Sequence, residues 1–148
     1  MLLEENKAII RRLFKAENEG NLAIYDELMS PDYVDNAFQF TSLEEYKKMH
    51  AKTREALPDF QETIEDMVAE GEKVVVRFKG TGTHKGEWFG IPPTGKKITI
   101  TGVLIYRIVD GKIVEKVSGI YDFLDFYNRI GIIEYTEKGK KLFPEEAT

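Results

Sequence analysis

The sequence predicts an α+β protein in which helices pack against one face of a curved antiparallel sheet. Helical spacing of apolar residues is confined to the part of the chain before Pro58. Strand-like alternation follows, most clearly in Lys97-Ile98-Thr99-Ile100-Thr101. Asp110-Gly111 then supplies the pair that a two-residue hairpin turn needs, because both central positions take positive φ. Helices first and a meander of strands last is an order typical of α+β proteins.

Two amphipathic helices are predicted at the start of the chain. In the first, the apolar residues that share one helical face are Leu2, Leu3, Ile9, Ile10, Leu13 and Ala16. Gly20 is expected to end this helix, since glycine readily takes the left-handed conformation that follows a helix end. Asn21 is expected to cap a second, short helix, which Ser30-Pro31 ends.

A third helix is predicted to begin after Ser42. Together with Glu45, this serine matches the capping box, in which each side chain bonds the other residue's backbone amide. Pro58 is expected to end the helix, whose apolar face carries Leu43, Tyr46, Met49, Thr53 and Leu57. His50 lies beside two lysines in this helix and is expected to be an ordinary surface residue.

Four strands are predicted after the third helix. The first two run from about Phe60 to Ala69 and from about Lys73 to Thr83, and the Lys97–Thr101 segment begins the third. From Val103 to Ile108 the alternation disappears, so this part of the third strand is expected to be covered on both faces. The fourth strand follows the Asp110-Gly111 turn, and a helical turn is expected at Leu124 to Ile130.

Composition restricts the classes of function. A chain of 148 residues is expected to form one domain. With 21 basic and 26 acidic residues the net charge is -5, so nucleic-acid binding is not expected. The absence of cysteine excludes a disulfide scaffold, a thiolate metal site and a cysteine nucleophile. The two histidines are distant in sequence, so metal catalysis is not expected either.

The N-terminal segment does not have the pattern of a secretory signal. Glu4 and Glu5 stand where a signal peptide needs basic residues. No apolar run approaches the length of a membrane span. We therefore expect a cytoplasmic protein without a membrane partner.

Three motifs in the strand region resemble one known family. They are Thr81-Gly82-Thr83-His84-Lys85-Gly86-Glu87, Gly90-Ile91-Pro92-Pro93-Thr94-Gly95-Lys96 and Asp110-Gly111-Lys112-Ile113-Val114-Glu115. Together they resemble the SnoaL-like polyketide cyclases, a family of the nuclear-transport-factor-2-like superfamily. The resemblance covers residues 1–131 as one domain. It leaves 132–148 as a C-terminal extension, in which Leu142 and Phe143 are apolar enough to dock.

The resemblance implies a fold, an assembly and a reaction. It implies a cone-shaped curved antiparallel sheet with three N-terminal helices packed into its concave face. It also implies a homodimer formed through the outer sheet face, with neither a metal nor an organic cofactor. Characterised members close a ring of a polyketide ester by an intramolecular aldol reaction, with an Asp near the end of the last strand as acid and base.

The resemblance assigns the acid/base role to Asp122. Counting back from Gly131 gives Asp122, whereas counting forward from Glu115 gives Tyr121, so the assignment requires one inserted residue such as a bulge. Asp125 is the alternative acid. The aromatic neighbours of Asp122 are expected to raise its pKa, which suits it to take a proton from a carbon next to carbonyl groups.

A hydrophobic small molecule is the expected ligand. His84 is expected to donate a hydrogen bond to a carbonyl or enolate oxygen of that ligand, and a packed loop histidine is the alternative. The residues expected to bind the substrate are Tyr33, Asn36, Phe38, Tyr46, Trp88 and Tyr106.

Two positions depart from the family pattern. Asn36 stands where the family commonly has His, and Val117 stands where it commonly has Trp. Two functions therefore stay open. One is a cofactor-free acid/base enzyme that catalyses aldol cyclisation, isomerisation or hydration. The other is a non-catalytic ligand-binding or dimerisation module.

Overall fold

In the computed structural model, which describes residues 2–144, five strands form one curved, open sheet with helices packed against it. The elements in chain order are α1 (Leu2–Glu19), α2 (Ala23–Leu28), β1 (Met29–Asp35), α3 (Leu43–Ala56), β2 (Gln61–Glu70), β3 (Lys73–Thr83), β4 (Lys97–Val109), β5 (Lys112–Asp122), α4 (Leu124–Arg129) and α5 (Glu137–Leu142). The order of strands in the sheet is β1-β5-β4-β3-β2. The α+β class predicted from the sequence is confirmed.

The sheet is mixed rather than antiparallel throughout. Strands β2 to β5 form the predicted antiparallel meander. Strand β1 joins the edge parallel to β5, with Met29 opposite Ile113 and Val34 opposite Glu115. This pairing joins segments about 80 residues apart without a hairpin, and therefore no turn motif in the sequence signals it.

The helix boundaries agree with most of the predicted stop and start signals. Gly20 follows α1 with φ of 66°, and Ser42 Oγ accepts a hydrogen bond from the Glu45 backbone N–H at 3.3 Å. The predicted cap at Asn21 is wrong, because α2 begins after Leu22 without a side-chain cap. The Glu45 carboxylate accepts a hydrogen bond from the Thr41 backbone N–H at 2.7 Å. In a regular capping box it would bond the backbone N–H of the N-cap residue, Ser42, instead.

Strand β4 alternates along its whole length, so the prediction that both faces of its second half are covered is wrong for the single chain. Leu104, Tyr106 and Ile108 are buried on the concave face. On the opposite face Val103 is 39% exposed, because no element of the described residues packs there. The run of apolar residues from Val103 to Ile108 therefore places apolar side chains on both faces of β4, of which only the concave face is covered in the single chain.

A bulge in β5 decides which side chains near the end of this strand face inward. Tyr106 pairs with Lys116 and Ile105 pairs with Ser118, so Val117 is an extra residue on β5. One extra residue reverses the alternation of side chains beyond it. Lys116 and Tyr121 therefore both face the concave side, although they are five residues apart in the sequence.

The C-terminal segment makes few contacts with the apolar core. In α5 and just after it, Leu142 is 64% and Phe143 is 46% exposed. Phe143 contacts Tyr135 within the same segment, with the ring centroids 6.0 Å apart. Within residues 2–144, no helix combines the length and the apolar character needed to cross a membrane.

Candidate active site

A cavity of about 350 Å³ lies between the concave face of the sheet and the helices. Eleven of its nineteen lining residues are aromatic. These are Phe38, Phe40, Tyr46, Phe60, Phe78, Trp88, Phe89, Tyr106, Tyr121, Phe123 and Tyr127. Such a wall favours an apolar ligand, whose orientation is then set by the few polar groups that reach the cavity.

One group of polar side chains in the cavity is centred on Glu17 of α1. Tyr46 donates its hydroxyl hydrogen to the Glu17 carboxyl group, and His50 Nε2 lies 3.4 Å from Glu17 Oε1. Glu62 of β2 also lines the cavity and interacts with Glu17. Glu17 is only 7% exposed, so its carboxyl group is held among these partners rather than in solvent.

The environment of Glu17 favours its neutral form. Burial raises the pKa of Glu17 to about 8, His50 opposes this rise, and the neighbouring carboxyl group of Glu62 adds to it. Burial likewise lowers the pKa of His50, although Glu17 opposes that change. At neutral pH Glu17 is therefore mostly protonated, and the environment of His50 favours its neutral form. A carboxyl group with a pKa near neutrality is suited to general acid/base chemistry.

The second polar group is centred on Lys116 of β5. Its Nζ lies 3.2 Å from Asp35 Oδ2 and donates a hydrogen bond to the Tyr121 hydroxyl at 2.9 Å. Burial opposes the charge on Lys116, but Tyr121 and Asp35 outweigh burial, and the pKa of the amine is raised above its usual value. Lys116 therefore remains an ammonium ion in the wall of an apolar cavity.

Four of the predicted site residues line this cavity. Phe38, Tyr46, Trp88 and Tyr106 all contribute to its wall. Trp88 also has a buried indole N–H for which residues 2–144 supply no acceptor. Four of the five aromatic residues predicted to bind the substrate therefore converge on one site.

Asp122 is not one of the lining residues. It is exposed on the outer face of β5, and its Oδ1 accepts a hydrogen bond from the Leu124 backbone N–H at 3.1 Å. The predicted insertion in β5 is present, but the bulge turns Tyr121 rather than Asp122 into the cavity. The alternative acid, Asp125, binds Arg129 with an N–O distance of 2.8 Å. The catalytic assignment to Asp122 stays a prediction without geometric support.

Three other predicted site residues lie outside the cavity wall. His84 is buried, and its Nδ1 lies 3.0 Å from Thr94 Oγ1, so it holds the loop between β3 and β4. Asn36 is exposed and donates to the Val117 carbonyl group at 3.3 Å. Tyr33 is fully buried behind the cavity and donates its hydroxyl hydrogen to Asp35 Oδ2 at 3.1 Å.

The polar residues of the cavity were missed by sequence reasoning for different reasons. Glu17 and His50 each continue an apolar helical stripe, at i+4 from Leu13 and Tyr46 respectively. His50 lines the cavity, so the prediction that it is an ordinary surface residue is wrong. A titratable residue within an apolar helical stripe is the sequence signal that could have placed both side chains inside. Lys116 had no such signal, because the bulges in β5 interrupt the alternation that would have placed it inside.

A shallower groove continues the cavity toward the surface. Phe40, Met49, Thr53, Trp88 and Phe89 line both spaces. The outer part lies beside α3 and also carries charged residues, namely Glu45, Lys48, Lys52, Glu55 and Glu87. An apolar ligand would therefore enter past a charged rim. Within residues 2–144, no group of three or more His, Asp or Glu side chains is placed to hold a metal ion.

Comparison with known proteins gives a consistent family signal. The sequence pattern of the SnoaL-like polyketide cyclases matches residues 7–129. A comparison with curated proteins gives no match.

Several solved structures share the fold. AclR, a proposed hydroxylase from Streptomyces galilaeus, has a TM-score of 0.83 and 29% identity, covering 92% of this chain and 87% of AclR. IdmH, a proposed polyketide cyclase from Streptomyces antibioticus, has a TM-score of 0.74 and 30% identity, covering 85% of this chain and 98% of IdmH. A proposed polyketide cyclase from Acidithiobacillus ferrooxidans has a TM-score of 0.76 and 27% identity, covering 86% and 95%.

Proposed function

Because the chain belongs to the SnoaL-like polyketide cyclase family, whose pattern spans residues 7–129, we propose that it is a cofactor-free acid/base enzyme. Its substrate is an apolar, carbonyl-bearing small molecule that binds in the aromatic cavity. The reaction is an aldol-type cyclisation or a related isomerisation or hydration. Two similar structures carry different proposed activities, hydroxylase and cyclase, so the side chains of the cavity must select the reaction.

The observation that carries this proposal is the environment of Glu17. A carboxyl group with a pKa of about 8 in an apolar cavity is half ionised at about pH 8, so both of its forms are populated around neutral pH. In its ionised form it is a stronger base than an ordinary carboxylate, and in its protonated form it is a ready acid. Glu17 rather than Asp122 is therefore the residue to which we assign proton transfer.

The proposed steps return the enzyme to its starting state. Ionised Glu17 takes a proton from the carbon between two carbonyl groups, and an enolate forms. The enolate carbon attacks a second carbonyl carbon, a carbon–carbon bond forms, and the alkoxide produced takes the proton back from Glu17. His50 and Tyr46 contact the carboxyl group and hold it in position throughout. No proton is gained or lost overall.

Proton abstraction is testable without knowing the natural substrate. The probe is an aryl β-keto ester, and NMR in D₂O follows exchange of the protons between its two carbonyl groups. We expect the protein to catalyse this exchange and Glu17→Gln to slow it by at least about 100-fold, the usual contribution of a general base. The exchange rate should rise with pH up to about 8, where Glu17 becomes ionised.

Two control variants separate the alternatives. Glu19→Gln changes an exposed glutamate on the same helix and should leave exchange intact. Asp122→Asn should also leave it intact, because an asparagine oxygen still accepts the Leu124 N–H bond. Loss of exchange in Asp122→Asn but not in Glu17→Gln would return the acid/base role to Asp122. Saturable binding of the probe without exchange would favour a non-catalytic binding module.

We also propose that the outer sheet face pairs with a second copy of the chain. Across this face Val68 lies opposite Val75, and Val75 lies opposite Ile105. In the adjacent row Ile120 is opposite Val103 and is 73% exposed. These exposed apolar side chains, which lie beside the Arg77–Asp66 ion pair, favour a partner, and the family resemblance favours a homodimer.

A further inference from the structure

The ammonium group of Lys116 has one hydrogen-bond donor left for a ligand. An ammonium group has three N–H donors. The Tyr121 hydroxyl accepts one of them at 2.9 Å, and the Asp35 carboxylate forms an ion pair with the ammonium group at 3.2 Å and so occupies a second side of it. Within residues 2–144 no third acceptor lies within hydrogen-bonding distance of this nitrogen, and Lys116 is part of the cavity wall. The remaining donor is therefore available to an atom inside the cavity.

Aromatic rings surround the same ammonium group. The centroids of Phe38, Tyr46, Tyr106 and Tyr121 all lie 5.5 to 5.6 Å from Lys116 Nζ. Rings at this distance stabilise a cation and keep water away from it. A charge in such a medium acts strongly on any anion that approaches, since little solvent screens it.

Asp35 neutralises Lys116 only in part. Its carboxylate also accepts hydrogen bonds from the Tyr33 hydroxyl at 3.1 Å and from the backbone N–H groups of Ala37 and Phe38 at 2.9 and 3.0 Å. Three donors besides Lys116 therefore share the negative charge of Asp35. Of the other acidic groups that act on Lys116, Glu17 on α1 is mostly neutral below about pH 8, and burial raises the pKa of Glu62 on β2 as well. Positive potential therefore remains on the cavity side of the lysine.

The rings beside Lys116 form flat walls. Tyr121 and Phe123 are stacked with an interplanar angle of 8°, and Phe123 and Tyr127 with 20°. Phe38 and Phe40 form a second stacked pair with an angle of 23°. Flat walls next to a cation are complementary to a planar conjugated ligand with an oxygen at its edge.

We infer that Lys116 forms an anion site for an enolate or phenolate oxygen, so the ligands of this cavity are planar 1,3-dicarbonyl or phenolic molecules that bind ionised. The inference rests on the proposed function and extends it, because it names the substrate class and the group that stabilises the enolate. Lys116 acts as a hydrogen-bond donor and as a charge. It forms no covalent bond with the ligand, since an amine that stays protonated is not a nucleophile.

The probe for this site is 4-nitrophenol, whose ionised form absorbs visible light. Titrating the protein-bound probe gives its pKa in the cavity. We expect the bound pKa to lie at least about one unit below that of the free probe, which corresponds to a preference of about tenfold for the ionised form. Lys116→Met should remove this shift, and Lys116→Arg should restore part of it. Lys79→Met, an exposed lysine on β3, should leave it unchanged.

The variants are chosen so that loss of folding does not imitate loss of the site. Lys116→Met leaves the Asp35 charge buried and unpaired, so Lys116→Met with Asp35→Asn is tested beside it. An asparagine at position 35 still accepts the backbone N–H bonds. Circular dichroism verifies the fold of each variant. A bound probe with an unshifted pKa, or a shift that survives in the double variant, overturns the anion site.

The outcome is separable from that of the acid/base proposal. If β-keto ester exchange depends on Glu17 and the nitrophenol pKa is unshifted, the anion site is wrong and proton transfer stands. If the nitrophenol pKa is lowered through Lys116 and no exchange occurs, the anion site stands and the catalytic proposal is wrong.

Discussion

At the scale of single residues, Glu17 links the chemistry of the cavity to the stability of the fold. Its pKa is about 8 in the folded chain and lies near the ordinary 4.5 when unfolding exposes it. The folded state thus keeps a proton that the unfolded state releases above about pH 4.5. The stability that Glu17 contributes is complete below this pH, decreases as the pH rises, and is lost above about pH 8.

Glu17→Gln should therefore flatten the dependence of stability on pH. Glutamine keeps an acceptor for the Tyr46 hydroxyl hydrogen and never ionises, so the variant should be the more stable protein at about pH 9, by up to about 4 kcal/mol. Urea unfolding at about pH 5 and about pH 9 measures the difference. Glu19→Gln, an exposed change, should keep the wild-type slope. Equal slopes in all three proteins would show that Glu17 ionises normally.

The residues of the site differed in how well the sequence predicted them. Phe38, Tyr46, Trp88 and Tyr106 were predictable because aromatic residues with strand or helix spacing collect around an interior. The side of the sheet on which Asp122 lies was not predictable, because the extra residue Val117 exchanges the inward and outward positions of β5 and turns Tyr121 into the cavity. Local sequence does not reveal where in a strand such a bulge lies.

At the scale of elements, the boundaries that depend on local chemistry were predictable. Gly20, Ser42 and the Asp110-Gly111 turn act through their own backbone or side-chain bonds, and each is found where it was expected. The parallel pairing of β1 with β5 was less accessible from sequence alone, since it joins segments about 80 residues apart without a hairpin. The partner of an edge strand is a tertiary property rather than a local one.

The loop between β3 and β4 depends on a close approach at Gly86. A Cβ atom at this position would lie 2.1 Å from the Glu55 carbonyl oxygen, and the Lys85 and Gly86 backbone N–H groups both bond the Ala56 carbonyl at 3.0 Å. Gly86→Ala must therefore push the loop away from the end of α3. We expect a loss of about 1–3 kcal/mol in stability, as in other overpacked sites.

The same substitution should weaken ligand binding, because this loop carries Trp88 and Phe89 into the cavity wall. Thermal unfolding and 4-nitrophenol titration of the variant measure the two effects. Lys85→Ala, at the neighbouring exposed position, is the control and should alter neither quantity appreciably. Unchanged stability of Gly86→Ala would show that the loop moves without resistance and does not fix the cavity mouth.

At the scale of the whole molecule, one face of the sheet encloses the cavity and the other is exposed. The concave face encloses the cavity, with Leu104 and Tyr106 buried in its wall. The outer face exposes apolar side chains such as Val103 and Ile120 beside the Arg77–Asp66 ion pair. Its apolar positions explain why the Val103–Ile108 segment loses its alternation in sequence while keeping it in burial. A sheet only one layer thick beside an open cavity gains rigidity when its second face is covered.

Association through this face should be broken by one charge at its centre. Ile120 is 73% exposed and lies opposite Val103, so Ile120→Glu would bury a carboxylate in the proposed interface. Light scattering after size-exclusion chromatography should give about twice the 17.0 kDa chain mass for the wild type and the single mass for Ile120→Glu. Leu2→Glu, on the exposed side of α1, should remain dimeric. A monomeric wild type, or a dimeric Ile120→Glu, would place the contact elsewhere or remove it. Because Ile120 is not part of the cavity wall, 4-nitrophenol should still bind to the monomeric variant, and loss of binding would show that the partner holds β5 in place.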